Sequence, residues 1–402
     1  MAESPRSRRA NLATRAVHVA RSGPRLSDAG ETAHTPALYQ TSNYVYPDAE
    51  AADRAASGGA YLYSRLGNPT TAALAAAVAD LEDAEAALTF SSGMAAIAAA
   101  VFAHGTVAGA EGEILAAESL YGGSIELLAE LGPRHGIRTR FIPFSDVGAV
   151  ASAIGPHTRA LLVETISNPL LRVADLKALG ELARERGIAL LVDSTFASPA
   201  LCRPLNAGAT LVIHSVSKYI GGHGDVVGGV VAGSEVALAP VHPYLVLLGG
   251  SMDPFAAWLT LRGVRTLALR VERSMATARR LADFLSGHAA VRRVHFPGRA
   301  DHPDAAVAAR LLDGPGAIIT FEVADGDTAR RIYNRFMHIT RAASLGEVAS
   351  LVTHPASFSH KGLPAAERER LGIIDGLLRL SVGIEDADDL EADLAQALDG
   401  GV

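Results

Sequence analysis

Between residues 86 and 232, short apolar runs alternate with stretches of helical periodicity; the runs fall at 86–90, 113–117, 139–142, 160–164, 189–193, 211–214 and 228–232. That rhythm predicts a mostly parallel β-sheet with helices on both faces, the plan of an open α/β fold. Beyond about residue 254 a long helical stretch through residue 285 leads into apolar runs at 317–323 and 377–382, with helices between them. This predicts a second, smaller C-terminal α/β domain. A length of 402 residues suits the division, because one hydrophobic core stops growing below that size.

The region before the sheet reads differently. The first 25 residues carry six arginines against one acid, Glu3, a pattern shared with transit peptides. Arginine replaces lysine throughout the chain, so a flexible arm is the preferred reading. Residues 35–47 mix aromatics and prolines without periodicity, as expected of an extended arm lying on another surface, such as a neighbouring subunit. At Asn68 a capping residue precedes Pro69 and an alanine-rich run to Leu81, which predicts a helix and the start of a folded domain. The expected divisions are an arm over 1–66, a ligand-binding domain over 67–262 and a C-terminal domain over 263–402.

Apolar residues make up 49% of the chain and charged residues 20%, as in ordinary globular proteins. The net charge of −7 and the lack of a later basic block argue against nucleic acid or an anionic membrane as partner, leaving small molecules. The longest apolar run, 94–103, falls short of the roughly 18–20 residues of a membrane helix. The one cysteine, Cys202, rules out an intramolecular disulfide framework and a multi-cysteine metal site; no metal is expected, and a reducing, cytoplasmic setting is.

Lysine-based chemistry has three candidates, Lys177, Lys218 and Lys361. The first lies in a charged helical stretch and the last in a polar loop. Lys218 follows the buried run 211–214, stands beside Ser215 and Ser217, and precedes a glycine-rich turn. A desolvated amine there becomes a nucleophile toward an aldehyde; a structural ion pair is the rival reading. Asp193 ends the apolar run 189–192, and ligands of open α/β sheets bind beyond the carboxyl ends of the strands. A carboxylate so placed keeps the pyridine nitrogen of pyridoxal phosphate protonated, although a strand-end helix cap is the plainer alternative. Ser92, Gly93 and Met94 open a helix and form a possible phosphate seat with Ser215 and Ser217. Tyr121 is placed either to stack on a planar cofactor or in the core. Alternation in 377–382 puts Arg379 and Ser381 on one face, where Arg379 captures a substrate carboxylate or forms a surface ion pair.

Several segments together carry a resemblance: Y-S-R-L-G-N-P-T from Tyr63, S-S-G-M-A-A from Ser91, L-Y-G-G from Leu120, V-D-S-T-F-A-S-P from Val192 and H-S-V-S-K-Y-I-G-G-H-G-D from His214. To these are added S-L-G-E-V-A-S-L from Ser344, H-P-A-S-F-S-H from His354 and R-L-S-V-G-I-E-D from Arg379. Over nearly its whole length the chain resembles the Cys/Met metabolism family of pyridoxal-phosphate enzymes. The resemblance implies the type I, aspartate-aminotransferase-like fold of PLP-dependent transferases, with Lys218 carrying the cofactor and Asp193 against its ring nitrogen. It further implies Gly93, Met94, Ser215 and Ser217 on the phosphate, Tyr121 stacked on the ring and serving as general acid, and Asn168 near the cofactor hydroxyl and the substrate carboxylate. Arg379, aided by Ser344, takes the substrate carboxylate. Tyr63 and Arg65 reach the phosphate of a neighbouring subunit, in a homodimer usually paired into a tetramer.

Relatives acting on cystathionine tend to place acids just before the Y-S-R and S-L-G motifs, where this chain has Leu62 and Ala343. An apolar pair offers a distal ammonium no partner and suits a methyl thioether, so methionine γ-lyase chemistry is the leading expectation. Cystathionine γ-lyase or γ-synthase comes next, then O-acetylhomoserine sulfhydrylase. Gly123 stands where methionine γ-lyases carry cysteine, and Glu347 and Ala349 vary the S-L-G segment. A nucleotide-binding oxidoreductase, suggested by the run 221–229, lacks the strand–loop–helix context it needs. A fold-only scaffold is countered by intact Lys218, Asp193 and Arg379.

Overall fold

The computed structural model describes residues 10–20, 30–107 and 109–400. Most of the arginine-rich start, with every arginine of it except Arg15, lies outside the described residues. The larger sheet contains β1 (Ala86–Phe90), β2 (Gly112–Ala117), β3 (Ile137–Ile142), β4 (Thr158–Glu164), β5 (Ala189–Asp193), β6 (Leu211–Ser215) and β7 (Gly229–Gly233). Their order is β1-β7-β6-β5-β4-β2-β3, and β7 alone runs antiparallel to its neighbours. Leu190, Leu191 and Val192 of β5 are all fully buried, as required of a strand covered on both faces. Such burial stabilises by about 1.5–3 kcal/mol per large aliphatic side chain and explains why the strand shows no polar alternation.

Local signals set the flanking helices. The Asn68 side chain accepts from Thr70 N at 2.8 Å, and Pro69 opens the helix Pro69–Glu82. Ser92 caps the helix Gly93–Gly105 by accepting from Ala95 N. The stretch expected as one helix over 254–285 is two, Pro254–Val264 and Leu267–Gly287. Buried Arg270 ties them to the site loop, donating to the carbonyls of Gly263 and Tyr219. A Cβ on Gly263 would lie 2.1 Å from Gly221 O, so only glycine lets this helix press on the turn after Lys218.

The smaller sheet contains β8 (Arg293–His295), β9 (Ile318–Glu322), β10 (Thr340–Arg341), β11 (Leu351–Thr353) and β12 (Leu377–Ser381), ordered β10-β11-β12-β9-β8. Only β9 and β12 were legible as apolar runs, because two- and three-residue strands carry no periodicity. The start of the chain also differs from a flexible arm where it is described. Leu12–His18 is a helix whose Leu12 and Ala16 pack on the core at helical spacing, followed by buried Val19 at its C-cap, and Arg15 pairs with Asp83 at 2.9 Å. Residues 35–47 are extended as expected, and lie on their own chain: Trp258 Nε1 donates to Pro36 O and Tyr39 N to Thr70 Oγ1. No described helix is long and apolar enough to cross a membrane.

Candidate active site

The carboxyl ends of the parallel strands open into a cavity of about 720 Å³ that extends to the smaller sheet. Lys218 sits in the turn after β6 and faces this space, whereas Lys177 and Lys361 are exposed elsewhere. Its Nζ donates to Ser344 Oγ at 2.8 Å. Burial first, then the charge of Arg379, makes the amine less basic than an ordinary lysine, while Glu347 opposes the shift. These are the conditions for an amine that reacts with an aldehyde.

Arg379, on β12, is 5% exposed. Its Nη1 donates to Asn168 Oδ1 at 2.7 Å, and its Nη2 to Ser344 O at 2.9 Å and to Thr353 Oγ1 at 3.4 Å. Buried Nε has no partner, and no carboxylate pairs with this guanidinium among the described residues. Burial pushes its pKa down to about 10. A surface ion pair is therefore excluded, and the guanidinium keeps donors for an incoming anion. Ser344, which contacts both Lys218 and Arg379, has φ +124°, a strained conformation of the kind that collects at ligand-binding positions.

Asp193 ends β5 and is no helix cap; its Oδ1 accepts from Thr195 N at 2.9 Å. Glu164 ends β4 directly opposite in the pairing register. Glu164 escaped the sequence reading, although its position at the end of an apolar strand was the signal that marked Asp193. Its Oε1 accepts from Tyr121 N at 2.6 Å and its Oε2 from Asn168 N at 3.3 Å. Burial, and then the charge of Asp193, raises the Glu164 pKa well above the usual carboxylate range. Burial raises Asp193 as well, against the hydrogen bonds from Thr195 and the neighbouring His214. Neighbouring carboxyls shielded from water both resist ionisation, and a cation beside Asp193 would relieve that cost.

Ser92, Gly93, Met94, Ser215, Ser217 and Tyr121 line the same cavity. The N-terminus of the helix Gly93–Gly105 supplies free amides, and a Cβ on Gly93 would stand 2.8 Å from Ser215 Cβ. Tyr121 is 44% exposed and so is no core tyrosine. Gly123 lies beneath it: a Cβ there would meet the Tyr121 ring at 2.7 Å and Met94 Sδ at 3.2 Å, so a side chain at 123 would displace both. Ala343 lines the cavity, but Leu62, Tyr63 and Arg65 do not. These three are exposed, with Arg65 Nη1 donating to Val246 O and its guanidinium 5.9 Å from the Tyr63 ring centroid.

A half-buried amine of lowered basicity, a carboxyl at the floor, a helix N-terminus with serines at one side and, at the other, an arginine with no acid partner among the described residues together fit an aldehyde cofactor bearing phosphate and a pyridine ring, with an amino-acid substrate beside it. The fold and this cavity define a fold type I pyridoxal-phosphate enzyme. A family model described as Cys/Met metabolism PLP-dependent enzyme matches residues 13–399. The chain is 41% identical to cystathionine β-lyase of Bacillus subtilis (strain 168) over 341 residues, 85% of this chain and 86% of that protein. It is 39% identical to L-methionine γ-lyase of Pseudomonas putida over 392 residues, 96% and 97% of the two chains. A solved cystathionine γ-synthase from Xanthomonas oryzae pv. oryzae in complex with cystathionine has TM-score 0.91 and 38% identity, covering 98% of both chains. The chain belongs to the Cys/Met metabolism PLP-dependent enzyme family, and its cofactor is pyridoxal 5′-phosphate. It is a lyase or synthase acting on sulfur amino acids.

Proposed function

We propose that the protein is a carbon–sulfur lyase that eliminates a thiol from the γ-carbon of a sulfur amino acid, giving 2-oxobutyrate and ammonia. The observation that carries this reading is Arg379: buried, without an acid partner among the described residues, bonded to Asn168, and sharing Ser344 with the Lys218 amine. Arg379 binds the substrate α-carboxylate through a planar fork that matches it. Asn168 and Ser344 orient that fork.

Lys218 would hold the cofactor aldehyde, and its amine would serve as the base that takes the Cα proton and moves protons between Cα and Cβ. When bound, pyridoxal 5′-phosphate withdraws electrons from the substrate Cα. Asp193 keeps the ring nitrogen protonated. The amides of Gly93 and Met94 and the hydroxyls of Ser92, Ser215 and Ser217 hold the phosphate, with Tyr63 and Arg65 added from a neighbouring subunit in a cytoplasmic homodimer or dimer of dimers. Tyr121, on the cavity wall, would stack on the ring and protonate the departing thiolate.

Ala343, with Val226, Val227 and Phe358 in the same cavity, favours an uncharged thioether such as methionine. Glu347 lines that cavity too and favours a second reading, cystathionine. Incubating the holoenzyme separately with methionine, cystathionine and homocysteine tests the proposal. 2-Oxobutyrate is the expected product, whereas pyruvate and homocysteine from cystathionine would mean cleavage at the β-carbon and overturn the γ assignment. Lys218→Ala should lose turnover, and near-normal activity in that variant would end the assignment of the amine.

A further inference from the structure

Glu347 follows Ser344 by three residues and faces the cavity that holds Lys218 and Arg379. Its backbone is fixed on both sides, because Gly346 N donates to Ser381 Oγ at 2.9 Å and Val348 N to Gly222 O at 3.0 Å. Opposite stands Gly224, with φ +70°, where a Cβ would fall 2.5 Å from Glu347 Oε2. The missing side chain at 224 is what gives the carboxylate its room. Among the described residues no hydrogen bond or ion pair engages the Glu347 carboxylate, and its negative charge is felt by the Lys218 amine. With the cofactor bound that amine would be engaged with the aldehyde, which leaves the Glu347 carboxylate open to another cation. A half-buried carboxylate in this position gains from an arriving cation, since a pair screened from water interacts more strongly than one on the surface. The cavity thus presents a fixed guanidinium at one place and a fixed carboxylate at another.

From this arrangement we infer that Glu347 is a specificity-determining residue that receives the distal ammonium of a thioether substrate carrying a second amino group. The inference rests on the proposed lyase function, with Arg379 holding the α-carboxylate. Methionine, whose far end is a methyl group, gains nothing from this contact. Cystathionine, whose far end carries a second amine, gains a charge-assisted hydrogen bond. Residues 62 and 343 therefore do not settle the polarity of the substrate pocket: 343 is apolar, 62 lies outside the cavity, and the charge enters from 347.

The test compares wild-type, Glu347→Gln and Glu347→Asp holoenzymes with cystathionine and methionine, checking cofactor loading by absorbance. Glu347→Gln should lower the ratio of kcat/KM for cystathionine over methionine about tenfold or more, mainly through KM, as loss of a charged hydrogen bond requires. Glu347→Asp, which keeps the charge, should retain most of the ratio. A complementary measurement leaves the protein intact: wild type should show a KM about tenfold higher for cystathionine acetylated on its distal amine. A ratio that stays within about twofold in Glu347→Gln overturns the inference, even if both substrates slow together, because Glu347 would then act only through Lys218. If the glutamine variant does not load cofactor, an unchanged KM for the acetylated substrate overturns it. A wild type that releases a 2-oxo acid from neither substrate defeats the lyase reading, and this inference falls with it.

Discussion

Replacing Arg379 with methionine separates binding of a substrate carboxylate from structural support. The guanidinium is 5% exposed, its Nε is unpaired, and burial pushes its pKa down to about 10. Its charge is thus costly to the empty protein and valuable once an anion docks. Removing one partner of a buried, hydrogen-bonded charge pair costs about 2–5 kcal/mol. At about 1.36 kcal/mol per factor of ten, Arg379→Met should lower kcat/KM by about 30-fold to about 5,000-fold. Stability should respond far less. Methionine leaves Asn168 Oδ1 and Ser344 O without their donor, a loss of about 1–3 kcal/mol each, but relieves a buried charge that has no acid partner among the described residues. Steady-state release of 2-oxo acid gives the first quantity and thermal melting of the cofactor-loaded protein the second. Removing Arg379 also takes away the second cause that depresses Lys218, so the pH at which apoprotein captures the cofactor should move upward. A fall in kcat/KM of less than about tenfold, with the melting temperature intact, would refute the assignment of Arg379 to the carboxylate.

Other substitutions probe the floor, the helix N-terminus and the buried thiol. Because the raised pKa of Glu164 means that the folded state holds its proton longer than the unfolded chain, wild type should lose stability as pH rises above the ordinary glutamate range. Glu164→Gln has no proton to lose, so its melting temperature relative to wild type should rise between pH 5 and pH 8; a constant difference would contradict the shift. Gly93→Ala puts a Cβ 2.8 Å from Ser215 Cβ and should weaken cofactor binding by about fivefold to 100-fold, read by titrating apoprotein, whereas wild-type affinity would show that the turn yields freely. Burial, and then the charge of Glu82, pushes the Cys202 thiol up to about 12. Iodoacetamide at pH 8 should therefore leave native protein unmodified and label it only in denaturant, by mass spectrometry.

The amino-acid pattern was enough to place β1 and β5, which occupy 86–90 and 189–193 as expected; β5, covered on both faces, leaves an uninterrupted apolar run, whereas β1 is an edge strand only partly buried. It also singled out Lys218, since a chain with three lysines places just one at the edge of a buried strand. Asn68, Pro69 and Ser92 announced helix starts through chemistry that acts within a few residues. Folding in three dimensions settled what depends on strand order and on loops meeting from both sheets. Glu164 stands against Asp193 because β4 pairs with β5, and Arg379 meets Asn168, Ser344 and Thr353 but no acid among the described residues. Glu347 enters the cavity because Ser381 and Gly222 fix the backbone around it. Charges act through space, so the meaning of these side chains comes from neighbours that lie far away along the chain.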